Sequence, residues 1–464
     1  MRAICLILAL GVPSLPLPAA DGGSVLPYRV VKRTLPNRLD VLVIETPEFK
    51  EVLNVGVMIL AGSRNEVEPG RTGLAHLFEH MAFRHRFGDP AGSYNDLMEK
   101  MGAFDNGWTW FDVTYYHPVT FSRNLDEMVR IQADRFAAMD FSERIYRTEA
   151  GAVLGEYRKS DSDPSMRMEE VQCDLAYGKE HGYGHTTMGY LADVKDMPNS
   201  YASGRAFHET WYRPNNAVVI VSGDVDADAA LSAVEGRFGA WKPADVPALP
   251  EPKPLGGPKR GHVDWEADIA PRISWAYRVP PFRPGETESA VLCLLPDLLA
   301  GKTAPLYQKI RYEKKTATDF GIAGQAAQGF DSRLLEATVR VEKDRYGLEG
   351  KKLLESIEAD LGAGFEELKG FSRRPDGAGV LARARSKFRY DMIASLDSPA
   401  AIARVLAWHY RFGRDPAVLD RLAESVATIR PEDVDAFAAR HFLPENLVVV
   451  TMAPKAPAAP EGGK

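Results

Sequence analysis

His76, Glu79 and His80 place two imidazoles and a carboxylate within five residues, in the run Gly73-Leu74-Ala75-His76-Leu77-Phe78-Glu79-His80-Met81. On a helix, residues four apart lie one turn above each other, so both histidines can present ring nitrogens to one tetrahedral Zn²⁺. Glu79 is one residue from His80 and therefore turned roughly 100° away around the helix. It is badly placed to complete the chelate and well placed to reach a water on the metal, which is the position of a general base. The order His-x-x-Glu-His inverts the commoner His-Glu-x-x-His zinc signature. The competing reading is two histidines on a surface helix, and the rest of the chain decides between them.

A catalytic zinc takes three protein ligands and keeps a fourth position open, so the third ligand should be a carboxylate from another element. The chain has 64 acidic residues to choose from. The best candidates lie in Glu149-Ala150-Gly151-Ala152-Val153-Leu154-Gly155-Glu156-Tyr157-Arg158, where Glu149 and Glu156, seven apart, share one face of a helix. The small residues between them are expected to let another element approach. Spacing alone does not separate Glu156 from a solvated surface glutamate.

The elements that must position these groups read as a mixture of strands and amphipathic helices, an α+β layout. Strands are expected at Val30–Leu35, Leu39–Ile44 and Asn54–Leu60, with a turn at Pro36-Asn37-Arg38. A helix from Ser93 to Met101 is followed by a turn at 102–107. Trp108–Val119 then reads as one strand with Thr109, Phe111, Val113 and Tyr115 on one face.

The N-terminus carries Arg2, a short apolar run and Pro-Leu-Pro-Ala-Ala, the pattern of a secretory signal peptide over residues 1–20, cut after Ala19 or Ala20. A periplasmic or secreted protein is expected. Cys173 and Cys293 then remain, with no metal or disulfide spacing, so stability must come from burial. Loss of Arg2 takes the formal charge from −7 to −8, which argues against nucleic acid and against an anionic membrane surface. Proteins or peptides are the better partners.

The chain resembles the pitrilysin/insulinase-type zinc metallopeptidases, the inverzincin group, and within it the bacterial relatives of the mitochondrial processing peptidases. His76-Leu77-Phe78-Glu79-His80-Met81 is similar to the family's metal helix. Glu156, with 75 residues between it and His80, stands where the family places its third ligand. Glu149 matches a second carboxylate that supports catalysis from outside the metal's ligand set. Asn106-Gly107-Trp108-Thr109, followed by Asp112-Val113-Thr114-Tyr115-Tyr116, resembles the substrate-binding turn and strand, with Asn106 holding substrate backbone; the family more often has Ala where Gly107 stands. His181-Gly182-Tyr183-Gly184-His185 and Trp211-Tyr212-Arg213-Pro214-Asn215-Asn216-Ala217 extend the resemblance. His181, His185 and His208 are read as structural, because three ligands suffice for zinc.

Pro214-Asn215-Asn216-Ala217-Val218-Val219-Ile220-Val221 recurs as Pro444-Glu445-Asn446-Leu447-Val448-Val449-Val450-Thr451, an offset of 230, which implies two homologous domains. The expected division is a zinc-binding catalytic domain at 24–241, a linker at 242–261 with six prolines and three glycines, a second domain at 262–453, and a disordered tail at 454–464. Carried forward by 230, His76, Glu79, His80 and Glu156 fall on Leu306, Lys309, Ile310 and Ser386, so the second copy has no metal ligands. One zinc per chain is expected.

The resemblance implies that each domain is a mostly antiparallel sheet packed by helices. It also implies that the pair forms half of a clamshell chamber closed by a second chain. In the family an arginine and a tyrosine seven residues later grip substrate from the half opposite the zinc. Arg311 matches the arginine, in Leu306-Tyr307-Gln308-Lys309-Ile310-Arg311-Tyr312-Glu313, but Thr318 stands where the tyrosine belongs. The reading is an exported zinc endopeptidase cutting unfolded peptides, with Zn²⁺ on His76, His80 and Glu156, Glu79 as base, and Asn106 and Arg311 touching substrate. Its expected partner is a homologous chain that lacks zinc ligands and carries the complete Arg and Tyr pair, a homodimer being the alternative. The rival from another class is a non-catalytic peptide-binding or scaffolding subunit of the same fold.

Overall fold

A computed structural model describes residues 24–85, 92–137, 139, 141–323 and 328–455. The signal peptide expected at residues 1–20 and the tail from 456 onward lie outside them. The first half builds a seven-stranded sheet from β1 (Val30–Thr34), β2 (Asp40–Glu45), β3 (Val52–Ile59), β4 (Gly107–Thr109), β5 (Thr114–Tyr116), β6 (Val119–Phe121) and β7 (Ala217–Gly223). Its order is β1-β2-β7-β3-β5-β4, with β6 also paired to β3. All neighbours are antiparallel except β2 and β7. The turn between β1 and β2 closes through Leu35 N–H donating to Leu39 O at 2.8 Å, and Asn37 ties it to Phe238 O and Trp241 O.

The single strand expected over Trp108–Val119 is a hairpin followed by a further short strand. Trp110 N–H donates to Val113 O at 2.8 Å and reverses the chain between β4 and β5. Thr109, Phe111, Val113 and Tyr115 therefore do not share a face. The reversal is sustained from far away in sequence: Arg64 N–H donates to Phe111 O at 2.7 Å, and the buried Asp112 accepts from Tyr183 Oη at 2.6 Å. Local periodicity carries no trace of such partners.

The second half repeats the plan with β8 (Lys259–Trp265), β9 (Arg272–Val279), β10 (Ala317–Ala323), β11 (Arg333–Val341) and β12 (Leu447–Pro454), in the order β10-β11-β9-β12-β8. As β7 runs parallel to β2 and antiparallel to β3, so β12 runs parallel to β8 and antiparallel to β9. The helix Tyr201–Trp211 and the turn Pro214–Asn216 before β7 recur 230 residues later as Pro431–His441 and Pro444–Asn446 before β12. That offset does not hold through the whole repeat. β9 starts at Arg272 and β3 at Val52, a difference of 220, and the helix after β9 is Thr287–Ala300. The topological counterpart of the histidine helix is thus Thr287–Ala300, not the segment containing Leu306, Lys309 and Ile310. The connection before that helix is shorter in the second half, which breaks a constant register. Thr287–Ala300 contains no histidine.

The two halves are not independent beads on a linker. Helix Pro399–Tyr410 of the second half packs on β3 and β7, and helix Pro164–Tyr177 of the first packs on β8 and β12. Ile402 and Leu406 are fully buried there, each worth about 1.5–3 kcal/mol of apolar burial. Tyr410 Oη donates to the buried Asp40 on β2 at 2.9 Å. The start of the expected first domain also crosses over: Ser24 and Val25 bond Asp420, and Val25 and Leu26 are buried in the core shared with the second half. Residues 242–258 carry no helix or strand. β12 extends through Pro454, and Lys455 N–H donates to Trp265 O at 2.8 Å.

Candidate metal centre

Leu74–Ala82 forms the histidine helix, only nine residues long. Such a helix is marginal by itself and depends on its surroundings. Gly73, at φ 88°, turns the chain into it. The carboxyl of Glu66 accepts from Gly73 N–H and Ala75 N–H, both at 2.6 Å, satisfying two donors of the first turn. Burial pushes Glu66 up to about 8, while those amide donors pull it down. At the other end the fully buried Arg135 donates from Nε to Ala82 O at 2.7 Å, placing a cation where the helix dipole is negative. Leu77, Phe78 and Met81 face the core, which leaves His76 and His80 on the outer edge, only partly exposed.

Helix Glu143–Ser160 lies across the histidine helix and brings both glutamates to it. Glu156 Oε2 is 3.4 Å from His76 Nε2, and Glu156 Oε1 is 3.6 Å from His80 Nε2. One ligand atom from each of His76, His80 and Glu156 lies within 4.8 Å of the others. Tetrahedral zinc with bonds near 2.0–2.1 Å needs its ligand atoms roughly 3.3 Å apart, so this trio fits the ion with small adjustment. The hydrogen bond from His76, opposed by burial, keeps the Glu156 carboxyl lowered. Burial works against charge on His80, yet Glu149, Glu156 and Glu79 around it leave its pKa raised. Three carboxylates converge on two imidazoles, which favours a cation between them.

The expected close approach at the small residues of this helix occurs at Ala150 and not at the two glycines. Gly151 and Gly155 are exposed, with nothing within 4 Å of a Cβ at either. Ala150 and Val153 are the buried contacts instead. Glu149 is buried while Glu156 is half exposed.

Glu149 sits beyond the ligand trio, with Oε2 3.6 Å from His80 Nδ1 and Oε1 2.9 Å from Arg84 Nε. Burial would raise the Glu149 carboxyl, but His80 and Arg84 hold it lowered. This carboxylate can orient the imidazole ring of His80 so that its Nε2 faces Glu156, and Arg84 in turn fixes the carboxylate. Arg84→Ala should therefore weaken zinc retention about 10–100-fold, read by competition with a chelator, with Arg84→Lys in between. Equal retention in all three proteins would show that Arg84 has no part in the site.

Glu79 Oε2 accepts from Thr109 Oγ1 at 2.6 Å, so this carboxylate is tied to β4, the terminal strand of its sheet. Asn106, just before β4, is exposed; its Oδ1 accepts from Gly107 N–H at 2.8 Å and its backbone O from His117 N–H. At Gly107 a Cβ would meet the Phe83 ring at 3.1 Å, so that ring fills the room an alanine would need. Arg311 is not among these groups. It lies in the second half on the π-helical segment Lys309–Glu313, donating to Ala317 O, and Thr318 Oγ1 donates to Arg340 O at 3.3 Å. Arg84, Glu66, Arg135 and Thr109 were not read from the sequence as parts of the site, because their roles come from distant contacts; only Thr109 falls in a singled-out motif.

Of the three histidines read as structural, His185 donates from Nδ1 to Thr186 O, 2.9 Å away, and lies behind Glu66 with Nε2 3.8 Å from its carboxyl. His208 lies against Phe78 and Tyr212, with no hydrogen-bond partner at its buried Nε2. Burial lowers His185 to about 4 from an ordinary value of 6.5. The unfolded chain thus takes up a proton between pH 6.5 and 4 that the folded one refuses. This stability is complete above about 6.5 and is lost as pH falls toward 4. His185→Gln should make the pH dependence of unfolding free energy shallower in that window, by up to about 1.4 kcal/mol per pH unit, as read by denaturant titrations of zinc-free protein. Parallel slopes would contradict the assignment.

Residues 41–188 match the family described as Insulinase (Peptidase family M16), and residues 200–363 match the Peptidase M16 inactive domain. Zinc protease PqqE of Helicobacter pylori is 28% identical over 298 residues, which is 61% of this chain and 64% of that protein. The aligned stretch thus spans under two thirds of that relative. The crystal structure of a protease from Helicobacter pylori superposes with a TM-score of 0.81 at 24% identity, covering 92% of this chain and all of that one. The periplasmic protease PqqL of Escherichia coli gives 0.71 at 19% identity, covering 92% of this chain and 48% of its own. With the two models of one family matched in order over residues 41–188 and 200–363, and a fold shared along nearly its whole length, this chain belongs to the insulinase family of peptidases, family M16.

Proposed function

We propose that the chain is an exported zinc endopeptidase that cuts unfolded peptides, with one Zn²⁺ held by His76, His80 and Glu156. The observation that carries this reading is the convergence of those three side chains, one ligand atom of each within 4.8 Å of the others, beside a carboxylate, Glu79, that is itself held by Thr109. Zinc, when bound, would polarise the scissile carbonyl and acidify a water. Thr109 occupies one oxygen of Glu79 and leaves the other to take the proton from that water and return it to the departing amine. β4 ends its sheet, so a peptide can pair with it as an added strand, recognised through backbone more than side chains. The exposed amide of Asn106 stands at the start of that strand to hold the peptide backbone, and the buried Glu149 steadies His80. Export follows from the N-terminal pattern and agrees with a relative described as periplasmic. Zinc analysis together with hydrolysis of unfolded peptides by the purified chain tests the reading; metal-free, inactive protein would overturn it.

The same reading includes a partner. Arg311 would serve a neighbouring chain's zinc site, and Thr318 offers no phenol at the tyrosine position. A homodimer would then lack one hydrogen bond to the reacting carbonyl, a loss of the order of 10²-fold or more in rate. We expect a heterodimer with a zinc-less homologue that carries both Arg and Tyr. Mixing this chain with such a homologue should raise peptide hydrolysis about 10²-fold and shift the mass in solution. Full activity from a homodimer, unchanged on mixing, would remove the heterodimer from the proposal.

A further inference from the structure

Asp112, at the tip of the β4–β5 hairpin, is a carboxylate buried away from water, and its partners come from both halves of the chain. From the first half, Tyr183 Oη donates to Oδ1 at 2.6 Å. From the second, Phe330 N–H donates to Oδ2 at 3.3 Å, and the buried guanidinium of Arg411 lies 3.8 Å from the same oxygen. Arg64 binds the tip twice over. Its backbone N–H donates to Phe111 O at 2.7 Å, while its side chain lies 3.9 Å from Asp112 Oδ1 and pairs with Asp331 of the second half. Burial pushes Arg411 down to about 10, and Asp112 opposes that shift. Moving the tip would separate opposite charges that no water can then solvate, so this network resists displacement.

The strand that follows from this tip needs such an anchor. β4 is three residues long, ends its sheet and pairs with β5 alone. Successive residues of a strand point to opposite faces. Thr109 reaches Glu79 on one side, and on the other the Trp108 ring lies 5.4 Å from that of Trp408 on helix Pro399–Tyr410. The Arg411 guanidinium sits 3.8 Å over Trp408, so the arginine that faces Asp112 also backs this aromatic wall. Gly62 passes so close beneath the reversal that a Cβ there would meet Trp110 O at 2.0 Å. Three residues separate Asp112 from Thr109, which leaves little slack between the buried charge and the hydroxyl that holds Glu79.

We propose that the second half of the chain positions the base of the first: Asp112, clamped by Tyr183, Phe330 N–H, Arg64 and Arg411, is a positioning residue that fixes where Thr109 holds Glu79. The proposal rests on the peptidase reading above and assigns the second half a part in it.

A double-mutant cycle on peptide hydrolysis tests it. Tyr183→Phe, which removes one bond to Asp112 and keeps the ring, and Asp112→Asn, which keeps the shape and removes the charge, should each lower kcat about tenfold with zinc content unchanged. Asp331→Asn, which frees Arg64 from the second half, should act in the same direction. Thr109→Val should lower kcat by a similar factor, and in that background Tyr183→Phe should add less than about twofold, because the link it acts through is already cut. Tyr410→Phe breaks a buried bond between the halves at Asp40 on β2, toward the other end of the sheet, and should leave kcat unchanged. Unchanged kcat in Tyr183→Phe and Asp112→Asn, effects that multiply in full with Thr109→Val, or an equal loss in Tyr410→Phe would each overturn the positioning role. If the native protein cleaves no peptide, the peptidase reading fails, and amide hydrogen exchange decides the clamp. Exchange at the Trp110 amide about tenfold faster in Tyr183→Phe and Asp331→Asn, and unchanged in Tyr410→Phe, upholds the hold of the second half on β4; native rates in the first two overturn it.

Discussion

Zinc-loaded Glu79→Gln protein will hydrolyse peptides about 10²–10⁴ times more slowly than the native chain while holding the same amount of metal. The side chain sits one residue from His80 on the histidine helix and accepts from Thr109 Oγ1 at 2.6 Å. Glutamine keeps the shape and an oxygen able to accept that bond, so the link to β4 survives. What it loses is the capacity to take a proton at neutral pH. His76, His80 and Glu156 are untouched, so elemental analysis should give an unchanged zinc to protein ratio. Near-native turnover with zinc in place would show that Glu79 is not the base. Loss of zinc together with activity would instead make Glu79 part of the metal's support, and the assignment of roles would need to change.

His80→Ala, and likewise His76→Ala or Glu156→Ala, will strip the zinc. Residues outside the ligand set commonly cost 10–100-fold in affinity when removed, and loss of one of only three ligands should exceed that. His80 is the sharpest case, because it stands between two carboxylates, with Glu156 Oε1 3.6 Å from Nε2 and Glu149 Oε2 3.6 Å from Nδ1. Its removal leaves those carboxylates near each other without the imidazole that separates them. The fold should survive, since the core side of the helix is Leu77, Phe78 and Met81. The measurement is the zinc ratio after exhaustive dialysis, near about one for the native chain. Full zinc in the His80→Ala protein would mean that the ion lies elsewhere.

His76, Glu79 and His80 were legible because a helix converts a spacing of three or four residues into a shared face, a local rule needing no knowledge of the rest of the chain. The repeat was legible for a similar reason. The strand β7 and its preceding turn and helix recur as one block, with the offset of 230 intact. That offset failed at the histidine helix because the connecting segments differ in length between the halves. The strand expected at Trp108–Val119 failed because its reversal depends on Arg64 and Tyr183.

Sequence by itself determined the helix that bears the two histidines, the carboxylate beside them, the α+β composition and the twofold repeat. Each of these is written in short-range order. Tertiary structure alone decided what holds that helix in place: Glu66 at its start, Arg135 at its end, Arg84 through Glu149 behind His80, and Thr109 on Glu79. It also decided that Trp108 and Trp408, 300 residues apart in the chain, form one wall. These are contacts between side chains brought together only when helices of each half cover the sheet of the other, and apolar burial drives that packing with no sequence spacing to announce which residues will meet.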